Sequence, residues 1–325
     1  MIRNFFRTMM IALALALALV SGHALAQAYP SKPVKIVIGF GPGSGTDILA
    51  RMLGEELQKT FGQPFIVENK PGAAAQIAAN QVKAAPPDGY TLLLTSNTTH
   101  SVNPHIYKKL QYDPLTDFTP IGGIGYFPFI LAVDAKLPIK TPQELVAWAK
   151  ANKGNVFYAY GTPTVQIPAE AINRIEKLEA TGVPYKSSPD AMLDVIGGRA
   201  QFMVVDLASS QSQVKAGKLR ALALTGAKRT SLAPELPTIE ETLKIKDFDL
   251  AAWTGLFGPA NLPQDIVDKL SDAIQKILNK PEIRERLLAS FIEPTPSDPA
   301  TFRAMVRKQL EVWGEKVKVA GIQPE

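Results

Sequence analysis

Along this chain, short apolar runs alternate with stretches whose apolar residues recur every three or four positions, the periods of strand and helix. Strands are expected at Val34 to Phe40, Phe65 to Glu68, Thr91 to Ser96, Phe129 to Val133, Val156 to Tyr160, Gln201 to Val205 and Leu219 to Leu224. Between them, Ile48, Leu49, Met52, Leu53 and Leu57 keep helical spacing, as do Leu145, Trp148 and Ala149. Thr141-Pro142-Gln143-Glu144 gives the second of these helices a start: a capping threonine, a proline whose missing N–H costs nothing in the first turn, and a glutamate able to bond back to the threonine. Thr238 and Glu241 repeat the box, and three more amphipathic stretches begin near Gln264, Pro281 and Pro299. Such alternation predicts an α/β protein with parallel sheets and helical crossovers.

The first 28 residues break the pattern. Arg3 and Arg7 precede the apolar run Met9 to Val20, followed by small residues around Ala24 to Ala28. This is the grammar of a secretory leader cleaved after about Ala26 or Ala28. Its apolar core of 12 residues is well short of the roughly 20 that span a bilayer. The chain contains no cysteine, so neither a lipid-anchored cysteine nor a disulfide framework is available, and core packing must hold the exported fold. Losing the leader lowers the formal charge from +5 to +3. That excess is scattered among acidic residues without aromatic interleaving, which argues against nucleic acid as a partner. About 297 remaining residues exceed the usual single core, so two domains are expected.

In α/β sheets, ligands gather beyond the carboxyl ends of strands. Four such loops stand out: Gly41 to Asp47, Asn97-Thr98-Thr99-His100, Gly161 to Gln166, and the segment opening at Asp206. The first reads as an anion socket. Its glycines let backbone N–H groups approach a ligand, and the following helix presents about half a positive charge at its start. Nucleotides do not fit, because Gly45 is followed by Thr46 and Asp47 instead of Lys-Ser/Thr, and one residue instead of two separates Gly43 from Gly45. A tight turn without a ligand is the plain alternative for this loop, and polar strand ends solvated by water are the plain alternative for the others.

Together, these loops and several longer segments make the chain similar to periplasmic receptors of the tripartite tricarboxylate transporter family. The segments are Tyr29-Pro30-Ser31-Lys32-Pro33, Gly41 to Asp47, Val67 to Ala73, Pro87 to Leu93, Tyr107 to Leu110, Val183 to Lys186, Ala216 to Ala223 and Ala320-Gly321-Ile322. The resemblance implies a type II periplasmic binding fold, two Rossmann-like α/β lobes around a ligand cleft. One lobe would comprise residues 29–127 and 247–325, the other residues 128–246. The three C-terminal helices would cover the first lobe, with Met305, Leu310 and Trp313 as core residues.

The implied function is capture of a small di- or tricarboxylate, by closure of the lobes of a monomer that delivers it to membrane permease subunits, with no cofactor. The ligand-binding residues expected are Phe40, Gly43, Ser44, Gly45, Thr46, Asp47, Asn97, Thr98, Thr99, His100, Tyr160, Gly161, Thr162, Thr164 and Asp206. Each has a plainer role available: Thr46 as helix cap, Asp47 as a first-turn acid, His100 as a polar loop residue, Asp206 as a cap. The chain departs from the family pattern at the third loop, which is short and stiff with Gln166 in place of a histidine, and at Leu207 in place of asparagine. Both changes make that side less polar, and with Phe40, Phe127 and Tyr160 nearby an aromatic diacid such as terephthalate joins the aliphatic candidates. A sensor for a membrane histidine kinase is an alternative reading. A hydrolytic enzyme is a remote one, lacking a Gly-x-Ser-x-Gly elbow and metal-ligand spacing at His100 and His105.

Overall fold

The computed structural model describes residues 29–324, so the expected leader lies outside the described residues. Among the described residues, eleven strands form two sheets. In chain order they are β1 (Val34–Ile38), β2 (Phe65–Asn69), β3 (Thr91–Ser96), β4 (Phe118–Phe127), β5 (Phe129–Asp134), β6 (Phe157–Tyr160), β7 (Thr181–Pro184), β8 (Phe202–Asp206), β9 (Leu219–Leu224), β10 (Ala252–Pro259) and β11 (Glu293–Ser297). The helices are α1 (Gly45–Phe61), α2 (Gln76–Lys83), α3 (Asn103–Ile106), α4 (Pro142–Ala151), α5 (Pro163–Glu176), α6 (Ser188–Ile196), α7 (Leu207–Lys215), α8 (Ile239–Leu243), α9 (Gln264–Leu278), α10 (Pro281–Ala289) and α11 (Pro299–Ala320).

One sheet runs β11-β4-β10-β3-β1-β2 and the other β7-β6-β8-β5-β9, so the described residues form the two α/β lobes expected. The sheets are mixed, which corrects the expectation of purely parallel ones. β1 is parallel to β2 and β3, and β6 is parallel to β7 and β8, but β10 is antiparallel to β3 and β4, and β5 to β8 and β9. The reason is the crossing. Only Pro128 separates β4 from β5, so the chain passes between sheets without a helix to reverse it. The return path crosses beside it, where Thr225 donates through its hydroxyl to Leu250 O (2.5 Å) and through its N–H to Phe129 O (3.0 Å).

Where sequence signals were strong, the elements begin as expected. Thr141 accepts from Glu144 N, and Thr238 forms the full reciprocal box with Glu241. Helices α9, α10 and α11 start at Gln264, Pro281 and Pro299. Trp313 is buried in the main core, and Met305 packs half-buried against a separate cluster around Trp253, Phe257 and Phe302. Leu310 is also half-buried, and its carbonyl bonds His105 Nε2 (2.7 Å). β4 and β10 escape the periodicity reading because they are buried along nearly their whole length and rich in glycine. At Gly255, the Phe302 ring fills the space a side chain would need, a Cβ there lying 1.9 Å from Cζ.

Candidate functional site

Helix starts build this site. Ser44 is extended (φ −68°, ψ 157°) and accepts from Asp47 N (3.2 Å), so Ser44 caps α1, whereas Thr46 lies inside the helix. The cap expected at Thr46 therefore sits two residues earlier, because the chain turns at Gly43 (φ +79°) and becomes helical at Gly45. Asp47 binds the loop to its surroundings: its carboxylate accepts from Gly43 N (3.0 Å), Arg51 Nη2 (2.9 Å) and Asn69 Nδ2 (2.8 Å). Burial alone would raise its pKa, but those donors outweigh it and hold the group below the usual carboxylate range.

The loop after β3 divides between two surroundings. Thr98 turns toward the second lobe, its Oγ1 bonded to Thr164 Oγ1 at 2.7 Å. Thr99 bonds Thr95 Oγ1 and His100 Nδ1, both at 2.8 Å. His100 is fully buried, with its ring stacked 4.0 Å from that of Phe257 and close to Phe118. It thus belongs to the core, where desolvation pulls its pKa down to about 3. Asn97 is buried too, reaching Ala251 O at 3.4 Å.

The His100 shift has a definite sign. An unfolded histidine binds its proton near pH 6.5, whereas the folded one does so only near 3. Stability is therefore undiminished above the unfolded pKa and drains away as pH falls toward the folded one. We expect unfolding free energy to drop by about 1.2 kcal/mol between pH 6 and pH 5 from this group. Urea titrations of the wild type and His100→Phe will check this; parallel pH profiles for the two proteins would refute the assignment.

Four helix starts meet around a small cavity of about 40 Å³. Phe40, Ser44, Gly45 and Thr46 line it from the β1–α1 loop and the start of α1; Thr162, Thr164 and Val165 from the start of α5; Ser188 from α6; and Asp206 from the start of α7. Ser96, Thr98, Phe127, Phe129 and Ala252 complete the wall. Of the residues expected from sequence, Gly43, Asp47, Asn97, Thr99 and His100 stand outside this lining. Tyr160, Gly161 and Thr162 line an adjoining cleft of about 490 Å³ together with Tyr107, Gln166 and Tyr185, so Thr162 is shared by both spaces.

The lobes approach closely here. A Cβ at Gly45 would lie 2.6 Å from Asp206 Oδ1 and 3.1 Å from Phe127 Cε1, and one at Gly41 would lie 2.7 Å from Ser187 Cβ. The negative group beside the start of α1 is therefore the protein's own Asp206 carboxylate. It caps α7 through Ser209 N (2.7 Å) and accepts from the Ser209 hydroxyl (2.8 Å). Burial pushes its pKa above the ordinary carboxylate range, and the Ser209 donors offset this only in part.

Ser188 was missed from sequence, although a signal was present. Ser187-Ser188-Pro189-Asp190 directly follows a strand and reads as a cap, a helix-starting proline and a first-turn acid; Ser187 does accept from Asp190 N (3.4 Å). A second cavity of about 460 Å³ lies between α11 and the β4–β10–β11 edge, lined by Tyr126, Trp253, Met305 and Trp313 among others.

The sequence matches the model of the tripartite tricarboxylate transporter family receptor over residues 49–322. Among solved structures, a Rhodopseudomonas palustris protein, Rpa4515 with adipate, is similar at 31% identity and TM-score 0.89, covering 91% of this chain and 100% of its own. The periplasmic binding protein BugD is similar at 31% identity and TM-score 0.86, with 91% and 100% covered. MatC from Rhodopseudomonas palustris, with bound malate, is similar at 29% identity and TM-score 0.84, with 89% and 100% covered.

Proposed function

The chain belongs to the tripartite tricarboxylate transporter receptor family, and we propose that it is a periplasmic receptor capturing a small dicarboxylate between its lobes for delivery to membrane permease subunits. We place the lobe boundaries near residues 127/128 and 246/247, where the chain crosses between the sheets. The observation that carries the reading is the convergence of the α1, α5, α6 and α7 starts on one cavity lined by hydroxyls and lacking any Lys, Arg or His. Unpaired N–H groups and the partial positive charge of helix starts suit a carboxylate without a cationic clamp.

Magnitudes allow this. Hydrogen bonds to a charged group contribute about 1.5–3 kcal/mol each, and a helix start up to about 2 kcal/mol, so four such bonds and one helix start supply about 8–14 kcal/mol, enough to reach the roughly 8 kcal/mol of micromolar binding before the cost of closure is subtracted. A cavity of about 40 Å³ holds little more than water, so the ligand enters as the lobes part and is enclosed as they shut. The adjoining cleft gives the far carboxylate and the chain between the two a place beside Tyr160 and Gln166. Relatives bind adipate and malate, which favours aliphatic C4–C6 diacids over an aromatic body.

Thermal-shift measurements with adipate, malate, terephthalate and citrate test the reading. We expect adipate or malate at 1 mM (about a hundredfold over a Kd of ten micromolar) to raise stability by roughly 2.7 kcal/mol. No shift with any of the four would refute carboxylate capture, and a response to terephthalate alone would replace the aliphatic ligand with an aromatic one.

A further inference from the structure

Asp206 is the only ionisable side chain in the cavity lining, and it bears the same sign as the ligand expected there. The charged groups on elements packed around it are committed elsewhere. On α1, Asp47 is tied to Arg51 and Asn69; on α6, Asp190 accepts from Ser187 Oγ; on β9, Arg220 gives its N–H groups to the carbonyls of Ala135, Leu137 and Ile139; on β5, Asp134 accepts from Lys136 N. The start of α5 contributes only Thr162, Thr164 and Val165. No cation is therefore at hand to balance a second carboxylate arriving beside Asp206.

The contact with Gly45 makes the conflict local. Asp206 Oδ1 stands so near the start of α1 that a methyl group at residue 45 would not fit. A ligand carboxylate drawn to that start must settle within a few ångströms of Asp206, and two carboxylates at that separation do not both stay ionised in a dry site. Either a proton enters, or binding is weak.

We propose that Asp206 takes up one proton as the ligand carboxylate enters, so that the two carboxyl groups share a single hydrogen in the closed cleft and capture tightens as pH falls. The proton comes from solvent or buffer acid: an O–H bond forms at an Asp206 carboxylate oxygen while the buffer acid gives up its own. Asp206 already has its pKa raised by burial, and an added negative charge raises it further, so protonation and ligand reinforce each other. The protonated group also becomes a donor to the ligand oxygen from Oδ1, beside the start of α1, while Oδ2 still accepts from the Ser209 hydroxyl. Opening of the lobes readmits water, the proton departs, and the recovered charge repels the ligand, which gives the receptor a means of release. This inference rests on the carboxylate reading above.

Isothermal titration calorimetry of the purified protein with adipate, between pH 7 and pH 9 in buffers of differing ionisation enthalpy, counts the protons. Both carboxyl groups of free adipate are ionised in this range, so uptake reports the bound complex. We expect net uptake approaching one proton over part of the range, and affinity falling up to tenfold per pH unit there. Asp206→Asn keeps a capping side chain and cannot titrate; it should bind adipate with no uptake and a flat pH profile, about tenfold tighter than wild type near pH 9. Binding of adipate without uptake, or equal uptake in Asp206→Asn, overturns the proposal while leaving carboxylate capture standing. Failure of adipate, malate and terephthalate alike to bind overturns both. Preferential binding of aspartate without uptake would assign Asp206 to an ammonium partner and also overturn the proposal.

Discussion

Gly45→Ala is expected to weaken dicarboxylate capture about 100-fold while leaving the fold intact. The added methyl would sit 2.6 Å from Asp206 Oδ1 and 3.1 Å from Phe127 Cε1, and the carboxylate belongs to the opposite lobe. Overpacking of this kind costs roughly 1–3 kcal/mol, but the molecule can avoid the Asp206 contact by keeping its lobes apart. The Asp206 share of the cost then falls on the closed state alone, and a ligand that depends on closure loses affinity by that share, while the approach to Phe127 lies within the first lobe and is met by a small shift of the ring edge. Within α1 the change is benign, since alanine retains the N–H and favours helix over glycine. The pair of measurements that tests this is thermal unfolding, expected to be unchanged or slightly improved, and calorimetric affinity for adipate, expected to fall. Unaltered affinity would mean that the lobes do not need this contact to hold a ligand.

Gly161→Ala should behave in the opposite way, losing stability by about 3 kcal/mol or more, which for a chain of this size lowers Tm by roughly 5 °C or more. Its Cβ would lie 2.1 Å from Ser188 N and 2.2 Å from Ser187 C, both backbone atoms of the same lobe. No hinge motion relieves such a clash; the start of α6 or the end of β6 must move. The close approach is also what brings Ser188 to the cavity, so the glycine serves the site by letting two strand ends crowd together. Denaturant unfolding of the variant is the measurement, and a wild-type midpoint would show that α6 can shift freely. One substitution acts between lobes and the other within a lobe, so affinity and stability separate them.

Within the cavity lining, the residues legible in the sequence are those that local rules govern. Ser44, Gly45 and Thr46 come after a strand and open a helix; Thr162 and Thr164 flank Pro163 in the same setting; Asp206 ends β8 and caps α7. Each is the signature of a helix start, recognisable because capping depends on residues only a few positions apart. His100 was a candidate for the opposite reason. A histidine in a polar strand-end loop looks like a switchable donor, and only the stacking of Phe257 and the nearby Phe118 reveals it as core. Asp47 likewise looks available until Arg51 and Asn69 are seen to claim it.

The sequence by itself determined the α/β class, the principal helix starts and the four strand-end loops, because apolar periodicity, caps and glycine turns are short-range physics. Tertiary structure alone decided that β4 and β10 exist as antiparallel crossing strands, that Ser188 joins the site, and that Asp206 stands against Gly45. Those facts come from segments distant in the chain excluding water together, and no local pattern encodes which surfaces will meet.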